Sequence, residues 1–282
     1  MGAEVVRRLL AAGHDVVGWN RSRGKADALA GEGMRVAESP AELAREVDAV
    51  FSMLTNAGAV EAVVRDAVPG LGPGKVWLDC STISPGESRA IAEIVHETGA
   101  AFLDAPVSGS PATVAAGQLS IMVGGDRAAF ERLEPVLHDI GPKVTYLGGN
   151  GSALLMKMAI NLSLVVQGMS FAESVAMAVK AGIEPEAAVD AVLKSVIASP
   201  MLGYRGPMIL EGKMPETPFA DVALQQKDQE LGLRLAQELE VPLPFATLAN
   251  QWLTATAAAG LGHKEWIAVY ELFRRLGGGA VE

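Results

Sequence analysis

Short apolar runs alternate with helical periodicity throughout residues 1–150, and this alternation constrains the fold more than any other feature. Residues 15–19 and 49–54 have the length and composition of buried strands, and a helical pattern follows each of them. Such alternation is typical of a parallel, doubly wound sheet covered by helices. After Ser152 only helical patterns remain. We therefore predict an α/β domain at residues 1–150 and an all-α domain at residues 151–282.

The composition argues against several classes of protein. The 282 residues include 23 basic and 33 acidic side chains, for a net charge of -10. An acidic chain without a basic cluster is a poor candidate for nucleic-acid binding. Cys80 is the single cysteine, so no intrachain disulfide can form, and we expect a reducing, cytoplasmic location. The four histidines are scattered, so no metal-ligand spacing is present and we expect no metal.

No apolar run in the sequence has the length of a membrane span. The most apolar stretch, residues 162–166, is followed closely by Gln167, Ser170 and Glu173. We therefore expect no membrane partner. The helical pattern that starts at Ser152 carries more apolar surface than one domain needs, and it predicts a homodimer or a homotetramer.

Small polar residues follow the predicted strands, where ligands bind in doubly wound sheets. One strand ends at Asn20, Arg21 and Ser22, and a later one ends at Leu54. At the first of these positions an acid would bind the ribose 2′-hydroxyl of NAD, whereas an arginine can contact the 2′-phosphate of NADP. The sequence has Arg21 and no acid, so we predict that these residues bind NADP, with NAD possible. The alternative is that Arg21 is a solvated surface arginine.

The amino-terminal residues match the end of a dinucleotide-binding fingerprint. That fingerprint is a strand, then G-x-G-x-x-G, then a helix. The sequence starts at Met1 and Gly2 and continues directly into a helical pattern. We therefore predict that Gly2 is the last glycine of the fingerprint and contacts the cofactor. The alternative is a chance glycine after an ordinary start methionine.

One apolar helical segment contains two polar residues one turn apart. Lys157 and Asn161 share a face of the helix that starts at Ser152, and Ser152 can cap that helix. Burial and the positive helix end are expected to lower the pKa of such a lysine, which could then act as a general acid near neutral pH. Asn161 could orient a substrate hydroxyl. The alternative is a solvated stripe on an ordinary helix, and the spacing alone leaves both interpretations open.

Two further segments have weaker patterns. Ser108, Gly109 and Ser110 lie in a stretch that is rich in small residues, where Ser108 and nearby amides could hold a carboxylate or carbonyl oxygen of a substrate. As a bare pattern this stretch is a loop between strands. Lys227 lies on a helix rich in polar residues, for which a solvated face is the simpler interpretation.

These features, in this order, resemble the β-hydroxyacid dehydrogenase family, which includes 3-hydroxyisobutyrate dehydrogenase and tartronate semialdehyde reductase. The resemblance covers essentially the whole chain, because four family motifs occur in register. Their counterparts here are Gly2, residues 104–110 with 117–125, residues 151–161, and Lys227 with Asp228. The resemblance implies a Rossmann-type domain followed by a helical domain.

The resemblance also implies roles for individual residues. Lys157 would donate or accept the proton, Ser108 and Asn161 would bind the substrate, and Thr82 and Lys227 would contact the nicotinamide cofactor. We therefore expect an oxidoreductase that interconverts a small β-hydroxy acid and its semialdehyde. Imine reductases share the fold but usually lack this lysine. Two alternatives remain: a non-catalytic, dehydrogenase-like binding or sensor module, and a 6-phosphogluconate-type dehydrogenase, whose phosphate-binding basic residues we do not find in the helical domain.

The sequence departs from the family pattern in two places. Ser110 stands where the family usually has a second glycine, which predicts a narrower or more polar pocket beside Ser108. The first strand and most of the phosphate loop are not in the sequence. We therefore expect unpaired backbone groups in the neighbouring strands and fewer amides for the pyrophosphate.

We predict that this chain binds NADPH weakly, because the amides of the phosphate loop hold the pyrophosphate in such domains. A fluorescence titration of NADPH would compare this chain with one extended upstream by a strand and a glycine-rich loop. We expect tighter binding by the extended chain, and equal affinities would contradict the prediction.

Overall fold

The computed structural model describes residues 1–278 and divides into two compact units. We call Met1–Lys157 the sheet unit and Met158–Glu282 the helical unit. The predicted boundary near residue 150 lies just before the helix in which the two units divide.

The sheet unit contains alternating strands and helices, as the sequence predicts. Its strands are β1 (Val17–Gly18), β2 (Arg35–Val36), β3 (Ala49–Ser52), β4 (Val76–Asp79), β5 (Ala101–Asp104), β6 (Val107–Ser108), β7 (Ser120–Gly125) and β8 (Lys143–Tyr146). Its helices are α1 (Gly2–Ala11), α2 (Arg23–Ala30), α3 (Pro40–Glu46), α4 (Ala57–Ala67), α5 (Pro85–His96), α6 (Pro111–Ala115) and α7 (Arg127–Ile140). Serine or asparagine caps several helix starts, and Ser84 forms a capping box with Glu87 at α5.

The strands form two sheets rather than one. β1 pairs in parallel with β2, and a separate six-stranded sheet has the order β3-β4-β5-β7-β6, with β8 beside β7. The predicted Rossmann-type fold is confirmed, but its larger sheet is mixed, because β7 runs antiparallel to both β5 and β6. The connection between β5 and β7 contains only the short helix α6 and strand β6, so the chain doubles back instead of making a helical crossover. Strand β6 includes Ser108, in the stretch whose bare pattern predicts a loop.

Strand β3 is paired along one edge only. The amide of Val76 donates to Asp48 at 3.0 Å, and the amide of Cys80 donates to Ser52 at 2.7 Å. Backbone groups alternate in direction along a strand, so those of Ala49 and Phe51 point away from β4. Within residues 1–278, β3 has no second neighbour.

Among the described residues, strand β1 is also paired along one edge only, with β2. The amides of Arg35 and Ala37 donate to Val16 and Gly18, both at 3.0 Å, so the backbone groups of Val17 point away from β2. The open edges of β1 and β3 line one cavity of about 1080 Å³. We call this cavity the strand slot. Side chains of two different apolar cores, one including α1 and α7 and the other including α3, also line it.

The helical unit contains no strand among its described residues. The long helix α8 (Ser152–Lys180) begins in the sheet unit and continues into this one. The remaining helices are α9 (Pro185–Leu193), α10 (Pro200–Arg205), α11 (Val222–Glu238), α12 (Pro244–Thr256) and α13 (Val269–Leu276). The core forms around Phe171 and Trp266, and a buried ion pair joins Arg205 to Glu265 at 2.8 Å. The all-α prediction for this part is therefore correct.

Helix α8 corrects one expectation about membranes. Its 29 residues include an 18-residue window with a mean hydropathy of 1.5, which is long and apolar enough for a membrane span by length and composition alone. One third of that window is buried inside the protein. The expectation rested on the length of the uninterrupted apolar run. Gln167, Ser170 and Glu173 interrupt that run, but the mean hydropathy of the window stays high enough for a span. Residues such as Val165, Phe171 and Val175 of this helix pack in the core of the helical unit.

We predict fast hydrogen exchange along the strand slot. The amides of Val17, Ala49 and Phe51 have no strand partner in the described residues, so they should exchange at least about tenfold faster than that of Val50, which faces β4. Residue-resolved hydrogen–deuterium exchange would measure this difference. Equal protection of alternate residues along β3 would mean that its outer edge is paired in solution.

Candidate active site

A buried carboxylate connects the loops that follow β3 and β4. Asp79 Oδ1 accepts hydrogen bonds from Ser52 Oγ and Ser81 Oγ, both at 2.7 Å, and Ser81 Oγ in turn accepts from the amide of Leu54 at 2.8 Å. Burial raises the pKa of the Asp79 carboxyl, while the hydrogen bonds from the two serines oppose that shift. This network fixes Leu54 and the residue before Thr82. Both Leu54 and Thr82 are predicted to bind the cofactor.

A second buried carboxylate connects the end of β5 to the start of α8. Asp104 accepts hydrogen bonds from the amides of Gly151, Ala153 and Leu154 at 2.8, 3.2 and 3.3 Å. Ser152 was predicted to cap this helix, but the amides of its first turn donate to Asp104 instead. Burial raises the pKa of Asp104, and the hydrogen bonds from this backbone oppose the shift.

Lys157 lies shortly after the turn that Asp104 holds. It is the sixth residue of α8 and is half-buried, between the exposed Met156 and the buried Met158. Its role in proton transfer stays a prediction.

The residues predicted to bind substrate differ in their surroundings. Ser108 is half-buried on β6, and Gly109 is exposed beside it. Gly109 has φ 150°, and a Cβ placed there would lie 2.9 Å from side-chain atoms of Leu119 and Thr113. The Ser110 side chain caps α6, accepting from the amide of Thr113 at 3.3 Å. Any substrate contact of Ser110 would therefore compete with the cap, and its role stays a prediction.

Three of the residues predicted to bind the cofactor line the strand slot. Gly2, Asn20 and Leu54 all contribute to its wall. Arg21 and Ser22 are exposed and do not line it. The Asn20 side chain donates to the carbonyl of Ser22 at 3.0 Å and so shapes the turn that presents Arg21.

The slot has a feature that suits an anionic cofactor. Helix α1 begins at Gly2 without a side-chain cap, and its first residues line the slot. Uncapped amides at a helix start favour a phosphate, through both hydrogen bonds and the helix dipole. The residues present therefore fit the pyrophosphate of a dinucleotide at α1, and Asn20 and Leu54 line the same cavity.

The helical unit brings Asn161 and Lys227 together around one carboxylate. Asn161 Nδ2 donates to Asp228 Oδ2 at 2.9 Å, and Lys227 Nζ lies 3.2 Å from Asp228 Oδ1. Gln229 also donates to the Asn161 carbonyl at 2.9 Å. Asn161 is 5% exposed, so it is not part of a solvated stripe.

Sequence reasoning assigned no role to three carboxylates that organise these residues. Asp79 and Asp104 each end an apolar strand, and an acid in that position was a signal that could have been used. Asp228 was noted only as part of a motif. Each of them fixes residues that the sequence did single out.

Comparisons with known proteins agree with this organisation. Residues 1–148 match the family model described as the NAD-binding domain of 6-phosphogluconate dehydrogenase. Residues 149–273 match the family model described as NAD-binding of NADP-dependent 3-hydroxyisobutyrate dehydrogenase. Two models in this order span nearly the whole chain.

Individual proteins are similar over almost the full length of this chain. The chloroplastic glyoxylate/succinic semialdehyde reductase 2 of Arabidopsis thaliana is 34% identical, over 97% of this chain and 77% of that protein. The crystal structure of 3-hydroxyisobutyrate dehydrogenase from Salmonella typhimurium has a TM-score of 0.88 and 31% identity, over 96% of this chain and 95% of that one. The structure of Psf3 in complex with NADP+ and 2-OPP has a TM-score of 0.83 and 26% identity, over 96% of each chain. The chain with this fold and these carboxylate-anchored loops belongs to the β-hydroxyacid dehydrogenase family.

Proposed function

We propose that this protein is an NADP-preferring oxidoreductase that interconverts a small β-hydroxy acid and its semialdehyde. The observation that carries the proposal is the half-buried Lys157 on helix α8. Asp104 holds the first turn of this helix, and Asp104 precedes Ser108 by four residues in the sequence. Two relatives named for a semialdehyde reductase and a hydroxy-acid dehydrogenase support this substrate class.

Lys157 acts as general acid and base in the proposed mechanism. When bound, a nicotinamide cofactor would supply the hydride-transfer chemistry at the substrate carbon that carries the reacting oxygen. In reduction Lys157 gives a proton from its ammonium group to the carbonyl oxygen, which becomes the hydroxyl. In oxidation the neutral amine takes the hydroxyl proton back. General acid–base catalysis of this kind contributes about a hundredfold to ten-thousandfold.

The other predicted residues bind and orient. Ser108, Gly109 and Ser110 would hold the carboxylate of the substrate, and Asn161 would orient its reacting oxygen. Asp228 fixes the Asn161 amide, so that the amide presents a defined group to the substrate. These roles extend what the family resemblance implies.

The cofactor would be held by residues of several loops. We propose that Gly2, Asn20, Leu54 and Thr82 contact it in the sheet unit, and that Lys227 contacts it in the helical unit. Arg21 and Ser22 would bind the 2′-phosphate of NADP. The NADP+ bound by Psf3 supports the choice of a nicotinamide cofactor.

We also propose a cytoplasmic homodimer or homotetramer. Helix α8 leaves Leu155, Met156 and Met177 at 45%, 40% and 72% exposure, which is more apolar surface than a solvated helix usually presents. A partner subunit would cover it. Sedimentation analysis would measure the assembly.

Replacing Lys157 tests the proposed chemistry. Lys157→Ala should lower kcat about a hundredfold or more because the proton donor is lost, while the Kd for NADPH stays within about threefold. The assay follows NADPH oxidation with a panel of small semialdehydes. Lys180→Ala, at the exposed end of the same helix, is the matched control and should keep full activity. No turnover by the unmodified chain with any semialdehyde would favour a non-catalytic module, and an equal loss of cofactor binding in Lys157→Ala would contradict the assigned role.

Replacing Arg21 tests the cofactor preference. Arg21→Ala should weaken NADPH binding about tenfold or more relative to NADH, because a hydrogen-bonded charge pair contributes roughly 1.5–3 kcal/mol. The ratio of the two dissociation constants is the readout. Arg23→Ala is the control, since Arg23 is engaged with Glu38 and Asp27. An unchanged ratio in Arg21→Ala would mean that Arg21 does not read the 2′-phosphate.

A further inference from the structure

Four hydrogen-bond donors surround the side-chain carboxylate of Asp104. Oδ1 accepts from the amide of Gly151 at 2.8 Å and from Asn150 Nδ2 at 3.4 Å. Oδ2 accepts from the amides of Ala153 and Leu154 at 3.2 and 3.3 Å. The residue is fully buried. An ionised carboxylate, which only accepts, is therefore the group that satisfies all four donors.

Glycines stand at two positions around this arrangement. A Cβ at Gly124 would lie 2.9 Å from Asp104 Oδ2, so this glycine leaves room for the carboxylate. Gly151, whose amide donates to Asp104, has φ 91°, which favours glycine. A Cβ at Gly151 would also lie 2.6 Å from Arg89 Nη1.

Asp104 does for α8 what a capping residue normally does from the same helix. It satisfies amides of the first turn, and its charge lies at the positive helix end. Leu154 and Ala153, whose amides it holds, precede Lys157 by three and four residues, which is the spacing of neighbours on one helix face. The position of the lysine along and around the helix axis therefore depends on where this turn is fixed.

The same residue also fixes the strand that leads to Ser108. Asp104 ends β5, and the next amide, that of Ala105, donates to the carbonyl of Asp79 at 2.7 Å. One side chain thus ties the first turn of α8 to the strand end from which the predicted substrate segment starts.

We propose that Asp104 is a positioning residue for proton transfer, which sets Lys157 by holding the first turn of α8 against the end of β5. The inference rests on the proposed function, because it assigns a consequence to the position of Lys157. It assigns no contact between Asp104 and the substrate.

The test is a double-mutant cycle with Asp104→Asn and Lys157→Ala. In Asp104→Asn an amide NH2 faces backbone donors, so the turn must shift. A misplacement of about 1 Å can cost roughly a hundredfold in rate, and we expect a tenfold to hundredfold loss of kcat, with the Kd for NADPH within about threefold. In the Lys157→Ala background the same substitution should cause no further loss, because its effect acts through the lysine.

Two other variants guard against a simple loss of folding. Asp126→Ala removes the carboxylate that caps α7 by accepting from the amide of Ala129 at 2.7 Å; it should lower the Tm and keep kcat. Asn150→Ala keeps Asp104 and removes its weakest donor, and it should give a smaller loss of kcat that also disappears without Lys157.

The outcomes separate the two proposals. An unchanged kcat in both Asp104→Asn and Asn150→Ala, or an equal loss with and without Lys157, would overturn the positioning role while leaving the proposed function intact. Full activity of Lys157→Ala alone would overturn the proposed function first, and the positioning role with it.

Discussion

Two buried carboxylates stand side by side at the carboxyl ends of β4 and β5, and the loops of the sheet unit depend on how they are satisfied. Asp79 and Asp104 are register partners in the parallel pairing of these strands. Burying a carboxylate is costly unless hydrogen bonds replace water. Ser52 and Ser81 donate to Asp79, and the backbone at the start of α8 donates to Asp104. Because both buried carboxylates need these donors, they order the segments after β3, after β4 and before α8. The charge of Asp104 adds to the raised pKa of Asp79.

Acidic side chains also hold neighbouring segments in place in the helical unit. Asp228 holds Asn161 on α8 and pairs with Lys227 on its own helix α11. Glu265 holds Arg205 and accepts from the amides of Phe219 and Ala220 at 2.7 and 3.0 Å, which fixes the segment before α11. In both units an acid that is distant in sequence determines where a helix or its neighbour begins.

Local sequence patterns predicted the elements well and their polar connections poorly. Strand and helix periodicity depends on neighbours a few residues apart, and it placed β1, β3 and the start of α8 within a few residues of their bounds. The partner of Asp104 lies 47 residues later, and the partner of Asn161 lies 67 residues later. Nothing in a local pattern encodes such a pairing. The sequence shows the spacing of Lys157 and Asn161. It does not show that Asp104 holds the helical turn before Lys157, or that Asp228 accepts a hydrogen bond from Asn161. Strand β6 was missed because two residues between prolines and glycines carry no periodicity.

The open edges along the strand slot have a consequence for the behaviour of the protein in solution. An unpaired strand edge is a template on which another chain can add a strand. Most of the residues that line the slot along these edges are apolar, and the charged ones carry both signs, among them Asp15, Asp48, Lys25 and Arg35. Mutual repulsion between chains of net charge -10 therefore protects these edges. Salt shortens the range of that repulsion to about 8 Å at physiological ionic strength, so the colloidal stability of this chain is tied to the salt concentration around it.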